Sequence, residues 1–148
     1  MKRRAFLAGV GGAIALPALP RLACAQATPL EPYLQALTQG APVRKGKVRL
    51  ELPQLADNGN SVAMKVSVQS PMTEAEHVKS IHLFSDRNPV TRMASFHLGP
   101  RAGRAEVSSR VRLAGSQRVT AVAQLSDGSF WSDTAEIVVT LSACLDES

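Results

Sequence analysis

Few residues of this chain carry side chains that could do covalent chemistry. The sequence holds two cysteines, Cys24 and Cys144, and three histidines, His77, His82 and His97. A thiolate is a nucleophile and a metal ligand, and an imidazole can act as a base or as a ligand. These side chains could therefore support a thiol-based reaction or form a small metal site.

The spacing of the histidines argues against a metal centre. A zinc site needs three or four ligands at motif-like spacing, which these histidines do not show. His82 and His97 fall on strands expected to be neighbours, where they could face each other, and His77 lies beside Glu74 and Glu76. Exposed or hydrogen-bonded histidines explain this pattern better. We expect no metal and no cofactor.

The sequence also lacks the usual motifs of an enzyme. It has no Gly-x-Ser-x-Gly nucleophile elbow and no glycine loop that could cradle a phosphate. A Cys-His pair would need Cys144, close to the end of the sequence, to fold back onto a histidine. We therefore predict that the chain is not an enzyme and has no catalytic residue.

The first 27 residues are typical of an export signal. Arg3 and Arg4 precede Ala5-Phe6-Leu7 and an apolar run that ends at Leu19, which is too short to cross a bilayer. This pattern predicts a twin-arginine signal peptide over residues 1–27, with an ordinary secretory signal as the alternative. The expected location is the periplasm, with no membrane association beyond export.

Removal of that segment would leave one cysteine. Cleavage after Ala25 or Ala27 removes Cys24. The residues before Cys24 also resemble a lipid-attachment box, apart from Arg21, which leaves lipid attachment as an alternative. A lone Cys144 cannot form an internal disulfide. In an oxidising compartment it is either buried and inert, or exposed and able to react or to pair with another chain.

The charge of the remaining chain argues against a nucleic-acid ligand. The export segment carries four basic residues and no acid, so residues 28–148 hold thirteen basic and twelve acidic side chains, a net charge of +1. Nucleic acids bind to clustered positive charge. The one dense basic run, residues 44–47, is predicted to be a solvated loop.

The elements that must position these side chains are mostly strands. One amphipathic helix is predicted over residues 30–39, ended by Gly40 and Pro42 and packed against a sheet edge or a partner. Beyond it, apolar and polar residues alternate between turn signals such as residues 57–60. The predicted strands cover residues 48–52, 62–69, 78–85, 93–98, 104–113, 117–125 and 130–141.

This pattern predicts an all-β protein. Seven short antiparallel strands that each bury one face favour an immunoglobulin-like β-sandwich of about seven strands, preceded by one short helix. Residues 28–148 are expected to form this single domain. Thr73 and Glu76 have the spacing of a capping box, which predicts one helical turn between strands. Of Phe130 and Trp131, one is expected in the core and the other on an exposed face.

Seven segments spread over the domain, in order and behind the twin-arginine signal, resemble the SoxY family. Those proteins are periplasmic sulfur carriers of bacterial thiosulfate oxidation. The segments are residues 57–59 (Asp-Asn-Gly), 70–74 (Ser-Pro-Met-Thr-Glu), 77–84, 88–89 (Asn-Pro), 96–100 (Phe-His-Leu-Gly-Pro), 110–113 and 126–130.

The resemblance implies a fold, partners and a site. The fold is the immunoglobulin-like sandwich already expected from the strands. The partners are SoxZ, a second small β-protein in a heterodimer, and the periplasmic Sox enzymes that load, oxidise and hydrolyse the cargo. In the family, a cysteine flanked by glycines on a C-terminal arm holds the sulfur intermediate covalently. Carried over to this chain, that attachment residue is Cys144.

The sequence departs from the family at this arm. It ends Ser-Ala-Cys-Leu-Asp-Glu-Ser over residues 142–148, and no glycine follows Gly128. Glycine widens backbone freedom and removes bulk, whereas Asp146 and Glu147 disfavour a nearby thiolate and repel an anionic substrate. Two interpretations follow. The chain is a sulfur carrier that uses Cys144, or it is a non-carrying paralogue that acts as a binding or scaffolding subunit.

Overall fold

The computed structural model of the chain describes residues 29–141. Cys24, Cys144 and the export segment predicted over residues 1–27 lie outside the described residues. Within the described range, no helix is long and apolar enough to cross a membrane.

The described chain begins with one helix and continues with nine strands. The helix is α1 (Glu31–Thr38), and a single 3-10 turn lies at Pro100–Ala102. The strands are β1 (Val43–Lys45), β2 (Val48–Glu51), β3 (Leu55–Asn58), β4 (Val62–Val68), β5 (Val78–Ser85), β6 (Arg92–His97), β7 (Glu106–Val111), β8 (Gln117–Leu125) and β9 (Phe130–Leu141). The predicted all-β class with one short helix before the strands is confirmed.

The strands form the two layers of an immunoglobulin-like sandwich. The larger sheet has the order β1-β9-β8-β5-β6, with β3 also paired to β9, and the smaller sheet has the order β2-β4-β7. β1 and β3 pair in parallel with the two ends of β9, and the other pairs are antiparallel. The predicted sandwich is thus confirmed, with nine strands where about seven were expected.

The two additional strands correct the prediction for two polar stretches. Arg44 and Lys45, expected in a solvated loop, belong to β1, although their side chains are exposed. Asp57 and Asn58, expected in a turn, belong to β3, and the turn itself is at Gly59 and Asn60. Both short strands are held by backbone hydrogen bonds to β9. Their own sequences do not predict this pairing.

The main hydrophobic core lies between the two sheets. Side chains of a strand point alternately to its two faces, so one face of each strand can be buried. The inward residues predicted for residues 62–68 and 117–125 are all buried. The centre of the core includes Val66, Ile81, Leu83, Val119 and Leu125.

A second, smaller cluster lies on the outer face of the larger sheet. The leucine stripe of α1 packs there against Phe84, Val122 and Phe130. The helix therefore covers a sheet face, and the expectation that it packs against a sheet edge or a partner was wrong. Its apolar stripe needs a wide apolar surface, and these three outward side chains supply it. Gln39, in the left-handed conformation with φ 52°, ends the helix.

The loop between β4 and β5 is only partly as predicted. The Thr73 hydroxyl accepts a hydrogen bond from the Glu76 amide at 3.1 Å, as in a capping box. The Glu76 carboxylate does not return to the Thr73 amide, because it lies 3.5 Å from Lys47 Nζ, and the Thr73 amide donates to the Glu76 carbonyl instead. Without the reciprocal bond, these residues form bends and no helical turn.

Candidate functional site

The candidate site is the end of the sandwich where β9 ends. β9 is the longest strand, with twelve residues, and it finishes at Leu141. Cys144, the predicted attachment residue, lies three positions further along the sequence, outside the described residues. Three extended residues span at most roughly 10 Å. The groups that surround Leu141 are therefore those that the Cys144 thiol can reach.

Hydrogen bonds fix the backbone from which the sequence continues towards Cys144. The Leu141 carbonyl accepts from the Gly59 amide at 2.8 Å, and the Gly59 carbonyl accepts from the Leu113 amide at 2.8 Å. The Val139 amide donates to the Ser116 hydroxyl at 2.9 Å. We call this region, built by Gly59, Leu113, Ser116 and Leu141, the exit end. It holds the last residues of β9 in one place.

A buried asparagine ties together the loops of the exit end. The side-chain oxygen of Asn88 accepts from the Ala114 amide at 2.9 Å and from Gln117 Nε2 at 3.0 Å. Its Nδ2 donates to the Arg112 carbonyl at 2.8 Å. The Ser85 hydroxyl accepts a hydrogen bond from the Asn88 amide at 2.8 Å and donates one to Gln117 Oε1. Asn88 thus joins the β5–β6 connection to the segment between β7 and β8.

Positive charge is concentrated beside the exit end. Arg110 and Arg112 are exposed at the end of β7, and Arg110 Nε donates to Ser61 Oγ at 2.6 Å. Arg87 donates from its guanidinium to the Ser116 carbonyl at 3.1 Å. Guanidinium groups favour nearby anions. The sequence shows the acidic residues near Cys144 but does not indicate these cations, because the fold brings them from distant segments.

The predicted pairing of two histidines is confirmed. His82 and His97 lie on the neighbouring strands β5 and β6 with their ring centroids 6.2 Å apart. His82 is buried, with Nδ1 2.8 Å from Ser95 Oγ and Nε2 3.0 Å from Ser80 Oγ. Burial, followed by the charges of His97 and Arg92, lowers the pKa of His82. The side chain is a neutral, hydrogen-bonded group of the sheet.

The described residues offer no metal site. His77, the third histidine, contacts the Thr73 carbonyl through Nδ1 at 3.1 Å and lies apart from the other two. Across residues 29–141, no group of three histidine, cysteine, aspartate or glutamate side chains is placed to hold a metal ion.

The far end of β9 carries the aromatic pair. Phe130 is buried under α1, and Trp131 is half-buried against the main core. Lys47 Nζ and the Arg44 guanidinium lie 5.2 Å and 5.9 Å from the Trp131 ring centroid. The prediction that one aromatic is in the core is confirmed for Phe130. The expectation that the other aromatic lies on an exposed face was wrong for Trp131, because the β1–β2 connection at Gly46 approaches the indole and leaves it half-buried.

One exposed apolar surface adjoins the exit end. Leu55 and Val138 are register partners on β3 and β9, and they are 57% and 55% exposed. Leu141, 64% exposed, lies three residues after Val138, so the alternation of β9 turns its side chain to the opposite face. We call Leu55 and Val138 the β3–β9 patch. Neighbouring exposed apolar residues are typical of protein interfaces.

Comparison with known proteins gives the fold and a family. The family model described as sulfur oxidation protein SoxY matches residues 34–144. The solved structure of the sulfur carrier protein SoxY from Chlorobium limicola f thiosulfatophilum has a TM-score of 0.63 and 26% identity, and the match covers 76% of this chain and 96% of that chain. No curated protein matches the chain.

Two superoxide reductases share the fold. The enzyme (neelaredoxin) from Ignicoccus hospitalis has a TM-score of 0.56 and 19% identity, over 64% of this chain and 80% of that chain. The enzyme from Nanoarchaeum equitans has a TM-score of 0.55 and 12% identity, over 65% of this chain and 100% of that chain. At these identities the likeness concerns the sandwich and carries no activity over to this chain.

Proposed function

The chain belongs to the SoxY family of sulfur oxidation proteins, and we propose that it is a sulfur carrier that holds its cargo covalently on Cys144. The family match extends to residue 144 and so includes this cysteine. The protein would act as a non-catalytic subunit in thiosulfate or reduced-sulfur oxidation, without a cofactor. Its proposed location is the periplasm, reached by the twin-arginine route.

The observation that carries this proposal is the anchored end of β9. A carrier must present its thiol to separate enzymes, so the thiol needs a defined starting point on the surface. Leu141 is held by Gly59, which is held by Leu113, and Cys144 follows three residues later. The tether of roughly 10 Å is short, so the loading enzyme would have to approach the exit end closely.

The arginines beside the exit end favour an anionic cargo. Asp146 and Glu147 disfavour a thiolate at Cys144 and repel an anionic substrate. Arg110 and Arg112 contribute two positive charges near the same end. Opposite charges of this kind offset the repulsion, although solvent screens exposed groups.

We also propose that the chain forms a heterodimer with a SoxZ-like β-protein. The β3–β9 patch supplies an exposed apolar surface for such a partner. Because Val138 lies three residues before Leu141 on β9, the partner would lie close to the segment that carries Cys144. The periplasmic Sox enzymes are the proposed further partners.

A second candidate function is a non-carrying scaffold that keeps the sandwich and the partner surface. The absence of glycine after Gly128 favours it, because a bulky segment enters a narrow active site poorly. In that case Cys144 would be inert or would cross-link to a partner.

Intact-mass analysis separates the two functions. Loading with thiosulfate joins its outer sulfur to the Cys144 sulfur. One proton leaves the thiol, and two electrons pass to the acceptor of the loading enzyme. The chain incubated with thiosulfate and that enzyme should gain the mass of one S2O3 unit, because the hydrogen lost from the thiol is matched by the proton of the adduct's sulfonate in the neutral mass. The matched variant Cys144→Ser should gain nothing.

Each result of this experiment decides between the candidates. An unmodified wild-type chain would reject the carrier function and leave the scaffold. Failure to co-purify with a SoxZ-like protein as well would reject the scaffold. Turnover by the isolated chain would contradict both proposals.

A further inference from the structure

A groove opens along the edge of the sandwich between β6 and β7. Its volume is about 420 Å³. Val90, Met93 and Phe96 line its apolar part, and Arg92, Arg110 and Arg112 supply its charged part. We call it the arginine groove. It contains both apolar surface and concentrated positive charge, which is the composition that an amphipathic acidic segment would complement.

The charge of the arginine groove is not neutralised within the described part of the chain. No aspartate or glutamate lines the groove. Among residues 29–141, the four ion pairs involve Lys47, Arg49, Lys65 and Arg118, so none of the three groove arginines has an acidic partner there. Arg110 is hydrogen-bonded to Ser61, which leaves its charge unneutralised, and an acidic occupant would be attracted to the positive side chains that line the groove.

The groove begins close to the end of β9. Two consecutive hydrogen bonds of 2.8 Å link Leu141 through Gly59 to Leu113, the residue after Arg112. Asn88 holds the Arg112 carbonyl, so this arginine is attached to a fixed backbone. The sequence that follows Leu141 therefore starts beside the charged end of the groove.

We propose that the arginine groove is the docking site of this chain's own residues 145–147. Leu145 matches the apolar surface, and Asp146 and Glu147 match the arginines. These residues lie four to six positions beyond Leu141, a reach of roughly 13–20 Å when extended. Docking would hold Cys144 against the sandwich when no Sox enzyme is bound. Only this consequence rests on the proposed carrier function, since the docking itself needs no cargo.

Backbone NMR of the 15N-labelled chain tests the docking. Neutralising the segment with Asp146→Asn and Glu147→Gln should shift the amide signals of residues 92–96 and 109–112. High salt should shift the same signals in the wild type, because it screens exposed charge pairs. Shifts confined to the residues around Leu141 would overturn the proposal.

Charge reversal in the groove supplies the matched control. With Arg110→Glu and Arg112→Glu, neutralising Asp146 and Glu147 should no longer shift the groove signals. With Arg101→Glu, which makes a change of the same sign on the 3-10 turn at the opposite ends of β6 and β7, the shifts should persist. Equal shifts in both backgrounds would mean that segment and groove are not coupled, and would overturn the proposal.

The remaining occupants are outcomes of the same experiment. Groove signals that respond to added thiosulfate or sulfate, and not to the neutral segment, would assign the groove to a free anion. Signals that respond only to a SoxZ-like partner would assign it to that protein. Either result overturns the proposal. A Cys144→Ser chain should dock normally while carrying no cargo, so loss of docking and loss of the carrier function are distinguishable.

Discussion

His82 gives the protein a pH dependence that belongs to a single side chain. The folded state favours the neutral imidazole, because burial and the neighbouring His97 and Arg92 lower its pKa from the ordinary value of 6.5. The unfolded chain therefore takes up the proton first as the pH falls. The contribution of His82 to the free energy of unfolding should be constant above pH 6.5. Below pH 6.5 it should decrease until His82 is protonated in the folded state.

Urea unfolding at about pH 7.5 and about pH 5 measures this effect. The wild-type midpoint should fall with pH, and His82→Gln should reduce the fall. His77→Gln is the matched control, since His77 lies at the exposed loop before β5 and should leave the wild-type dependence in place. Identical pH dependence of the wild type and His82→Gln would contradict the assignment.

Asn88 is the residue on which the geometry of the exit end depends most. Its side chain makes four hydrogen bonds in a buried position, to Met93, Arg112, Ala114 and Gln117. Asn88→Ala leaves these partners unsatisfied and should lower the free energy of unfolding by about 2–4 kcal/mol. Thermal or urea unfolding measures the loss.

The exposed Asn60 is the control for Asn88. Asn60→Ala should change the free energy of unfolding by less than about 0.5 kcal/mol, because surface substitutions away from such networks have small effects. A loss at Asn88 no larger than that at Asn60 would show that the exit end does not depend on this network.

At the scale of elements, the longer strands could be predicted from the sequence and the short ones could not. The predicted bounds of β5, β8 and β9 equal the observed ones, because turn signals such as residues 126–129 delimit long runs of strand-forming residues. β1 and β3 have three and four residues. They are strands because the edge of β9 binds them, a cause that lies far away in the sequence.

The candidate site shows the same division. Cys144 could be proposed from the sequence because its residue type and position resemble those of a known family, and it stays a prediction. The arginines and Asn88 could not, because β7, the β5–β6 connection and Gly59 meet only in the folded sandwich. A single arginine or asparagine forms no periodic pattern in the sequence. Its role depends on neighbours that are distant along the chain.

The β3–β9 patch is an element-scale feature with a testable role in assembly. Val138→Lys places a charge in this patch without changing the core, since the side chain is exposed. It should weaken association with a SoxZ-like partner by roughly tenfold or more, as expected for an apolar anchor at an interface. Titration calorimetry or co-purification measures the loss.

Val90 provides the matched substitution for Val138. It is 69% exposed and lies in the β5–β6 connection, away from β3 and β9. Val90→Lys should leave partner association unchanged. Equal weakening by both variants would indicate a general effect of charge, and no weakening by either would place the partner on another surface.

At the scale of the whole molecule, β9 connects two ends with different tasks. Its twelve residues span roughly 36 Å, from the Phe130 side chain under α1 to the exit end at Leu141. The helix and the aromatic pair lie at one end, while the arginines and the β3–β9 patch lie near the other. The proposed cargo chemistry and the stability of the fold can therefore be changed separately, provided that changes are confined to residues beyond Leu141.

This separation allows the length and the freedom of the Cys144 tether to be tested without unfolding the sandwich. Inserting Gly-Gly between Leu141 and Ser142 lengthens the reach by roughly 7 Å and adds backbone freedom. If a tether of roughly 10 Å limits access to the loading enzyme, the rate of adduct formation should rise several-fold. Inserting Ala-Ala adds the same length with less freedom and should give a smaller increase. Intact mass follows adduct formation in all three chains. Equal rates would show that the length and freedom of the tether do not limit access to the thiol. The entrance of the loading enzyme would then be wide enough for Leu145 and Asp146.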